Sequence, residues 1–181
     1  MRDAAYWIEY LGLQPHPEGG HFKEIYRSSV AVPGAALGRY DGPRNLGTSI
    51  YFLLQDDEVS VLHRIRQDEL WHFYVGAALV VHVIDSEGNY YPIRMGSDPD
   101  ASQCLQALVP GGTLFGATVE CGEGYSLVGC TCVPGFDFAD FEVPSSEDLL
   151  EHYPQHRELI DRLTRIQSEH PLSEAKKAQR S

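Results

Sequence analysis

The sequence predicts a mainly-β domain, an antiparallel sandwich or barrel, with one helix before it and helices after it. About nine short runs rich in β-branched and aromatic residues follow one another through the middle of the chain, separated by turn residues. Apolar residues at helical spacing precede these runs, and the pattern becomes helical again after Pro144. Short strands that recur at such spacing are typical of antiparallel sheets.

The first element is a helix over residues 4–13, which Gly12 closes. Its apolar residues Trp7, Ile8 and Leu11 recur at helical spacing. The predicted strands follow at 21–29, 48–54, 59–65, 70–75, 79–85, 90–95, 104–109, 114–120 and 125–133.

The C-terminal segment 145–170 is predicted to be helical. Ser145, with Asp148 three residues later, resembles a capping box. A second helix is expected to open at Pro154, because proline is favoured in a first helical turn. The apolar residues that this helix would bury are Leu159, Ile160, Leu163 and Ile166.

Length and charge indicate how many domains the chain forms and which partners are disfavoured. The 181 residues are expected to form one domain, 1–181, with the barrel at about 18–143. A net charge of −12 without a basic stripe disfavours nucleic acid and anionic membranes as partners. Neither a signal peptide nor a transmembrane run is recognisable, so we expect a cytoplasmic protein. Its cysteines, expected to be reduced thiols, are Cys104, Cys121, Cys130 and Cys132.

The densest group of polar residues lies in residues 61–76, where two predicted strands flank a polar turn. Strand alternation turns His63 inward, and Glu69 on the next strand shares a face with Trp71. His72 faces the other way unless a bulge brings it inward. An inward His and Glu suit an acid/base pair or a metal site. The structural alternative is a histidine hydrogen-bonded inside the barrel beside a solvated Glu69.

This stretch resembles the first cupin motif, G-x5-H-x-H-x3,4-E-x6-G, at His63 and Glu69. Ile65 stands at the second histidine position, and Phe115 stands at the histidine position of the second cupin motif. The resemblance implies a cupin double-stranded β-helix, that is, a jelly-roll barrel. Because two usual metal ligands are replaced, a bound divalent metal is a hypothesis that needs His72 as a third ligand beside His63 and Glu69.

Further segments together resemble one family of small cupin-like proteins that is classed as a domain of unknown function. The matching segments are 11–13, 16–28, 48–54, 68–74 and 132–142. This resemblance extends to about residue 143 and implies a homodimer as well as the fold.

A more distant likeness is to the dTDP-4-dehydrorhamnose 3,5-epimerases. Residues 17–24 resemble their D-x-R-G-x-F-x-E pattern, in which Gly20, Phe22 and Glu24 match. The catalytic histidine of those enzymes lies on the strand that carries His63 here. The resemblance implies proton abstraction beside a carbonyl group, with a histidine base and a tyrosine acid. The tyrosine candidates are Tyr51, Tyr74 and Tyr125.

The expected ligand is therefore a nucleotide or a nucleotide sugar in the barrel mouth. Arg27 or Arg64 could hold its phosphates, and surface salt bridges are the alternative for each. Trp71 and Phe115 could stack the base or simply form core, and Gly20 could admit the ligand or only make a turn. Strand alternation places Glu24 and Arg27 on opposite faces. The candidate ligand contacts are Gly20, Glu24, Arg27, Tyr51, His63, Arg64, Trp71, His72 and Phe115.

Three functions follow from these observations. The first is a cupin that binds a nucleotide or nucleotide sugar, either as a binding protein or as an epimerase or isomerase, for which the catalytic candidates are His63, Glu69, Tyr74 and Tyr125. The second is a metal-dependent cupin oxygenase or isomerase. The third is a ligand-sensing or interaction module without catalysis.

Overall fold

The computed structural model describes residues 2–38, 40–120 and 124–164. Its helices are α1 (Ala4–Leu11), α2 (Gly34–Leu37), α3 (Ser146–His152) and α4 (Arg157–Leu163). Its strands are β1 (Gln14–Pro15), β2 (His21–Arg27), β3 (Ala31–Val32), β4 (Arg44–Asn45), β5 (Thr48–Gln55), β6 (Val59–Arg64), β7 (Asp68–Gly76), β8 (Leu79–Ile84), β9 (Tyr90–Met95), β10 (Gln106–Val109), β11 (Leu114–Val119) and β12 (Tyr125–Val133).

Two antiparallel sheets form the barrel, as the strand pattern predicts. The larger sheet has the strand order β1-β2-β5-β12-β7-β10, and the smaller has β6-β11-β8-β9. Strand β12 pairs with both β5 and β7, so the last strand of the barrel fills the middle of the larger sheet. The fold is the cupin jelly roll, with helices at both ends of the chain.

The core lies between the inner faces of the two sheets. Phe52 and Trp71 of the larger sheet pack in one buried cluster with Phe115 of the smaller sheet. On the outer face of the smaller sheet, Leu62 and its apolar neighbours are covered by α3 and α4 through Leu149, Ile160 and Leu163. Helix α1 covers part of the outer face of the larger sheet. The central strands are therefore buried on the faces that their apolar residues predict.

The helix boundaries follow local capping chemistry. The Ser145 hydroxyl accepts a hydrogen bond from the Asp148 backbone amide, which confirms the predicted cap of α3. Pro154 begins a 3-10 turn rather than an α-helix, and α4 starts only at Arg157. The predicted helix beyond residue 164, including Ile166, lies outside the described residues.

The strand prediction differs from the structure in two ways. Strands β1, β3 and β4 each contain only two residues, too few to show any periodicity, so they were not predicted. The pairing of β2 with β5 shifts between Glu24 and Tyr26, which marks a bulge at Ile25. Since the bulge adds one residue, Glu24 and Arg27 lie on the same side of the strand and form an ion pair. The prediction that they occupy opposite faces is wrong.

In the described residues, no helix is both long and apolar enough to cross a membrane.

Candidate functional site

A cavity of about 80 Å³ lies inside the barrel, between the larger sheet and strand β6. It is small by the standard of ligand pockets, which commonly measure roughly 300 to 1,000 Å³. Its lining residues are His16, Glu18, Phe22, Glu24, Arg27, Thr48, Ile50, Phe52, His63, Ile65, Glu69, Cys130, Cys132, Phe136 and Phe138. Acidic, basic and thiol groups therefore line one cavity whose surface is otherwise largely apolar.

The loop between β1 and β2 brings Glu18 to this cavity. The Glu18 carbonyl accepts a hydrogen bond of 2.9 Å from the Val61 amide, which ties the loop to β6. Gly19 has a φ of 112°, and a Cβ atom there would overlap the Val59 carbonyl oxygen. Only glycine allows both this backbone conformation and this close approach. The loop thus holds the Glu18 side chain against the strand that carries His63.

Both ring nitrogens of His63 have partners. Nδ1 lies 2.7 Å from the Val61 carbonyl oxygen, and Nε2 lies 3.1 Å from Oε2 of Glu18. Because a carbonyl oxygen can only accept, Nδ1 carries a hydrogen. A second hydrogen between Nε2 and the Glu18 carboxyl group is then required to make their contact attractive. The two side chains accordingly form a pair that shares one proton.

This pair is buried. His63 is 3% exposed, and its ring lies 4.2 Å from the Phe115 ring between centroids. Burial lowers the pKa of His63 to about 4, so the isolated ring is neutral near pH 7. The second carboxylate oxygen of Glu18 accepts a hydrogen bond of 2.9 Å from the Ser60 hydroxyl. Ser60 therefore fixes the orientation of the carboxyl group toward His63.

Glu69 lines the same cavity from strand β7. Its Oε2 accepts a hydrogen bond of 3.1 Å from the Trp71 indole, and the Cys132 thiol donates to Oε1 at 3.9 Å. Burial, and next the charge of Glu18, raise the pKa of Glu69 to about 8. Near pH 7 Glu69 therefore holds a proton, which it can donate to a ligand.

The thiols beside Glu69 are in their neutral form. Burial raises the pKa of Cys130 and Cys132, and the Glu69 carboxyl group raises it further. Both side chains line the cavity from β12, which confirms that they share one strand face. In the described part of the chain, both are free cysteines. They act as weak donors to Glu69 rather than as nucleophiles.

At the mouth of the cavity, Arg27 binds Glu24 through two hydrogen bonds of 3.0 and 2.7 Å. The same guanidinium donates to Asn45 and to the carbonyl of Phe136. Phe138, 59% exposed, lines the same cavity. The mouth thus combines a fixed cation with an aromatic surface that faces solvent.

The structure brings four of the predicted residues to the cavity wall, namely Glu24, Arg27, His63 and Glu69. Trp71 and Phe115 stand behind the wall, where they contact Glu69 and His63. Gly20 shapes the loop next to the wall, since a Cβ atom there would lie 2.6 Å from the Leu53 carbonyl oxygen.

The three tyrosine candidates do not line the cavity. Tyr51 and Tyr125 belong to the apolar cluster beneath α1 on the opposite face of the larger sheet. The Tyr125 hydroxyl accepts from the Trp7 indole and donates to the Arg2 carbonyl, so it anchors the N-terminal helix. Tyr74 is 47% exposed and contacts Tyr51 on that same face. Placing a tyrosine acid in the cavity was therefore wrong, because each strand position points the ring outward.

Arg64 and His72 also lie away from the cavity. Arg64 alternates with His63 on β6, so it points outward and pairs with Glu142 at 3.5 Å. His72 points outward from β7, and its Nε2 lies 3.2 Å from the Thr131 hydroxyl. Neither can contact a ligand held inside the barrel.

The residues present do not fit a cupin metal site. Within residues 2–38, 40–120 and 124–164, no group of three His, Cys, Asp or Glu side chains is arranged to hold a metal ion. His72 cannot be the third ligand, because it lies on the other face of its sheet from Glu69. Phe115 occupies the remaining histidine position and packs on the His63 ring. The proposed ligand set of His63, Glu69 and His72 is therefore wrong.

Comparison with known proteins agrees with this fold. The family described as Cupin superfamily (DUF985) matches residues 5–144. The chain is a cupin of this family. The cupin is 29% identical to the uncharacterized protein YML079W of Saccharomyces cerevisiae over 159 residues, covering 77% of this chain and 74% of the yeast protein.

Two solved structures resemble this cupin over nearly its whole length. Protein SO0799 from Shewanella oneidensis is 41% identical, with a TM-score of 0.83, and the match covers 92% of this cupin and 100% of that chain. A hypothetical protein from Leishmania major is 36% identical, with a TM-score of 0.84 and coverage of 91% and 100%. These likenesses establish the fold and family and leave the ligand to be inferred from the site.

The raised pKa of Glu69 predicts a pH-dependent stability. Between pH 5 and pH 8 the folded cupin keeps a proton on Glu69 that the unfolded chain releases, so the contribution of Glu69 to the free energy of unfolding falls as pH rises. We expect Glu69→Gln to remove ~3 kcal/mol of this decline. Urea unfolding of both proteins at several pH values measures the difference. Equal slopes for the two proteins would mean that Glu69 is ionised in the fold.

Proposed function

We propose that this cupin is an isomerase or epimerase that moves a proton on a small carbonyl compound, and that its substrate is a nucleotide sugar. The observation that carries the proposal is the buried His63–Glu18 pair, which lines the cavity and in which one proton lies between two atoms 3.1 Å apart. Enzymes that abstract a proton beside a carbonyl group need such a base, together with an acid for the oxygen.

The His63–Glu18 pair acts as the base, and Glu69 on strand β7 acts as the acid. When the His63–Glu18 pair has lost its shared proton, it accepts one from the carbon beside the carbonyl, and the electron pair moves to the carbonyl oxygen. Glu69, whose pKa of about 8 keeps it protonated, donates its proton to that oxygen. After the enol turns its other face to the His63–Glu18 pair, the pair returns a proton to the carbon and the enol hydroxyl returns its proton to Glu69, which gives the epimer. No redox partner is needed.

The small cavity favours a substrate that enters only in part. An enclosed volume of about 80 Å³ cannot contain a whole nucleotide, so the sugar would enter while the nucleotide stays at the mouth. There Phe138 offers an exposed ring on which a base can stack. Arg27 lines the same cavity, but four of its five N–H groups are bonded within the described chain, two of them to Glu24, so a diphosphate would have to displace part of the Arg27–Glu24 ion pair to bind there.

The first experiment measures deuterium exchange. A dTDP-4-keto sugar is incubated with the cupin in deuterium oxide, and proton NMR follows the signals of the carbons beside the keto group. We expect those signals to disappear with wild type and with Arg64→Ala, whose side chain faces away from the cavity, but not with His63→Ala. A panel of other nucleoside diphosphate sugars tests the base preference.

Thermal stability distinguishes catalysis from simple binding. A nucleotide at about 100 times its dissociation constant should stabilise the fold by roughly 2.7 kcal/mol, which raises the melting temperature by several degrees. Stabilisation without exchange for any sugar would contradict the enzyme and leave a ligand-binding cupin. Neither stabilisation nor exchange would reject the nucleotide sugar altogether.

A further inference from the structure

A second cavity of about 610 Å³ lies on the opposite side of the smaller sheet, between its outer face and the segment that leads into α4. Its volume is in the range of small-molecule sites. Its lining residues are His82, Tyr90, Gln155, His156, Arg157, Glu158, Leu159 and Arg162. None of these residues belongs to the wall of the first cavity.

A chain of hydrogen bonds runs from the sheet into this second cavity. His82, only 6% exposed, lies 3.0 Å from the Thr118 hydroxyl through Nε2 and 2.9 Å from the Tyr90 hydroxyl through Nδ1. Burial, and next the charge of Arg162, lower the pKa of His82 to about 4, so its ring is neutral. When Thr118 donates to Nε2, Nδ1 donates to Tyr90. The Tyr90 hydroxyl hydrogen is then directed outward and needs an acceptor.

The arginines of this cavity differ from most other arginines that the structure describes. Arg27, Arg44, Arg64, Arg66 and Arg94 all form ion pairs. In the described part of the chain, no ion pair within 4.0 Å is formed by Arg157 or Arg162, although both border the cavity.

Local charge makes the second cavity unusual for this protein. Two arginines outweigh the single carboxylate of Glu158 in its wall, whereas the whole chain carries a net charge of −12. Positive charge concentrated at one cavity of an acidic protein attracts an anion that the rest of the surface repels. Guanidinium groups and a hydroxyl donor are the partners that phosphate oxygens prefer.

We propose that the second cavity binds the phosphate group of a small phosphorylated molecule, through Arg157, Arg162 and the Tyr90 hydroxyl. In the His82 tautomer that carries its hydrogen on Nδ1, the hydrogen-bond chain from Thr118 through His82 leaves the Tyr90 hydroxyl hydrogen to donate to the phosphate. This site is separate from the proposed isomerase cavity and does not depend on it.

The test uses inorganic phosphate as the probe and follows the imidazole and phenol signals of His82 and Tyr90 by NMR. Ionic strength is kept constant with sodium chloride. We expect a saturable shift with wild type, and a dissociation constant raised about tenfold or more in Arg162→Ala, since a charge-assisted hydrogen bond is lost. The matched control is Arg2→Ala, which removes another exposed arginine at the far end of the molecule and should bind phosphate like wild type.

Three outcomes would overturn the proposal: no saturable shift, the same shift with chloride alone, or equal affinity in Arg162→Ala and wild type. A Tyr90→Phe variant that keeps full affinity would show that the Tyr90 hydroxyl does not donate to the phosphate. The His63→Ala variant separates the two proposals, because it should keep phosphate binding here even if it loses exchange in the first cavity.

Discussion

Replacing Glu18 by glutamine is expected to slow deuterium exchange by roughly 100-fold to 10,000-fold while the protein stays folded. Glutamine has the shape of glutamate, and its amide can still accept from Ser60 and donate to Nε2 of His63 across the 3.1 Å contact. The variant therefore keeps the geometry of the pair and loses only the carboxyl group that exchanges a proton with the substrate. Exchange rates with a dTDP-4-keto sugar, measured by NMR, test this directly.

The matched control is Glu142→Gln, which changes the same functional group on the surface, where Glu142 pairs with Arg64. Its exchange rate should equal that of wild type. A Glu18→Gln protein with undiminished exchange would show that the pair is structural, and the base would have to be sought elsewhere. A variant that loses its thermal transition would instead point to a folding role, so melting curves accompany the rates.

The second large effect concerns the buried ion pair between Arg44 and Asp140, which belongs to the 3-10 turn beside the cavity. Arg44 and Asp140 are 5% and 6% exposed, and the guanidinium binds the carboxylate through two bonds of 2.7 and 2.8 Å. Gln67 donates a further bond of 2.6 Å to Asp140. This network fixes the 3-10 turn Phe138–Asp140, whose first residue, Phe138, lines the cavity.

We expect Asp140→Ala to lower the free energy of unfolding by about 3 to 5 kcal/mol, because it removes the carboxylate that neutralises the buried Arg44 and leaves only the carbonyl oxygens of Asp41 and Pro43 as its hydrogen-bond partners in the described part of the chain. For a domain of this size the melting temperature should fall by roughly 10 °C. Asp41→Ala is the control, since Asp41 pairs with Arg66 but is 97% exposed and should change stability by less than ~1 kcal/mol. If Asp140→Ala lowered the free energy of unfolding by no more than Asp41→Ala does, the Arg44 guanidinium would have to be hydrated in the fold.

Strand alternation was sufficient to predict much of the fold and part of the site. It turned His63 inward and His72 outward, and it placed Cys130 and Cys132 on one face, all as the structure has them. Alternation works here because each of these residues lies in a regular strand, where successive side chains point to opposite faces.

The rest of the site depends on irregular backbone. Glu18 lies in a turn within the 17–24 segment beside two glycines, and nothing local in the sequence indicates that Gly19 packs against Val59 and so delivers Glu18 to His63. The bulge at Ile25 likewise has no sequence signal, yet it decides that Glu24 and Arg27 meet. The turn is nevertheless the one available hint, because paired glycines mark a close backbone approach as well as a bend.

The central position of β12 in the larger sheet has a consequence for protein synthesis. Strands β5 and β7 leave the ribosome well before residues 125–133, but each needs β12 as its neighbour. Until then the nascent chain presents two strand edges with unpaired amide and carbonyl groups, and such edges pair readily with other chains. Barrel closure, and with it the enclosed cavity, is therefore a late event during translation, and the interval between β7 and β12 is when chaperones would have to protect this chain from aggregation.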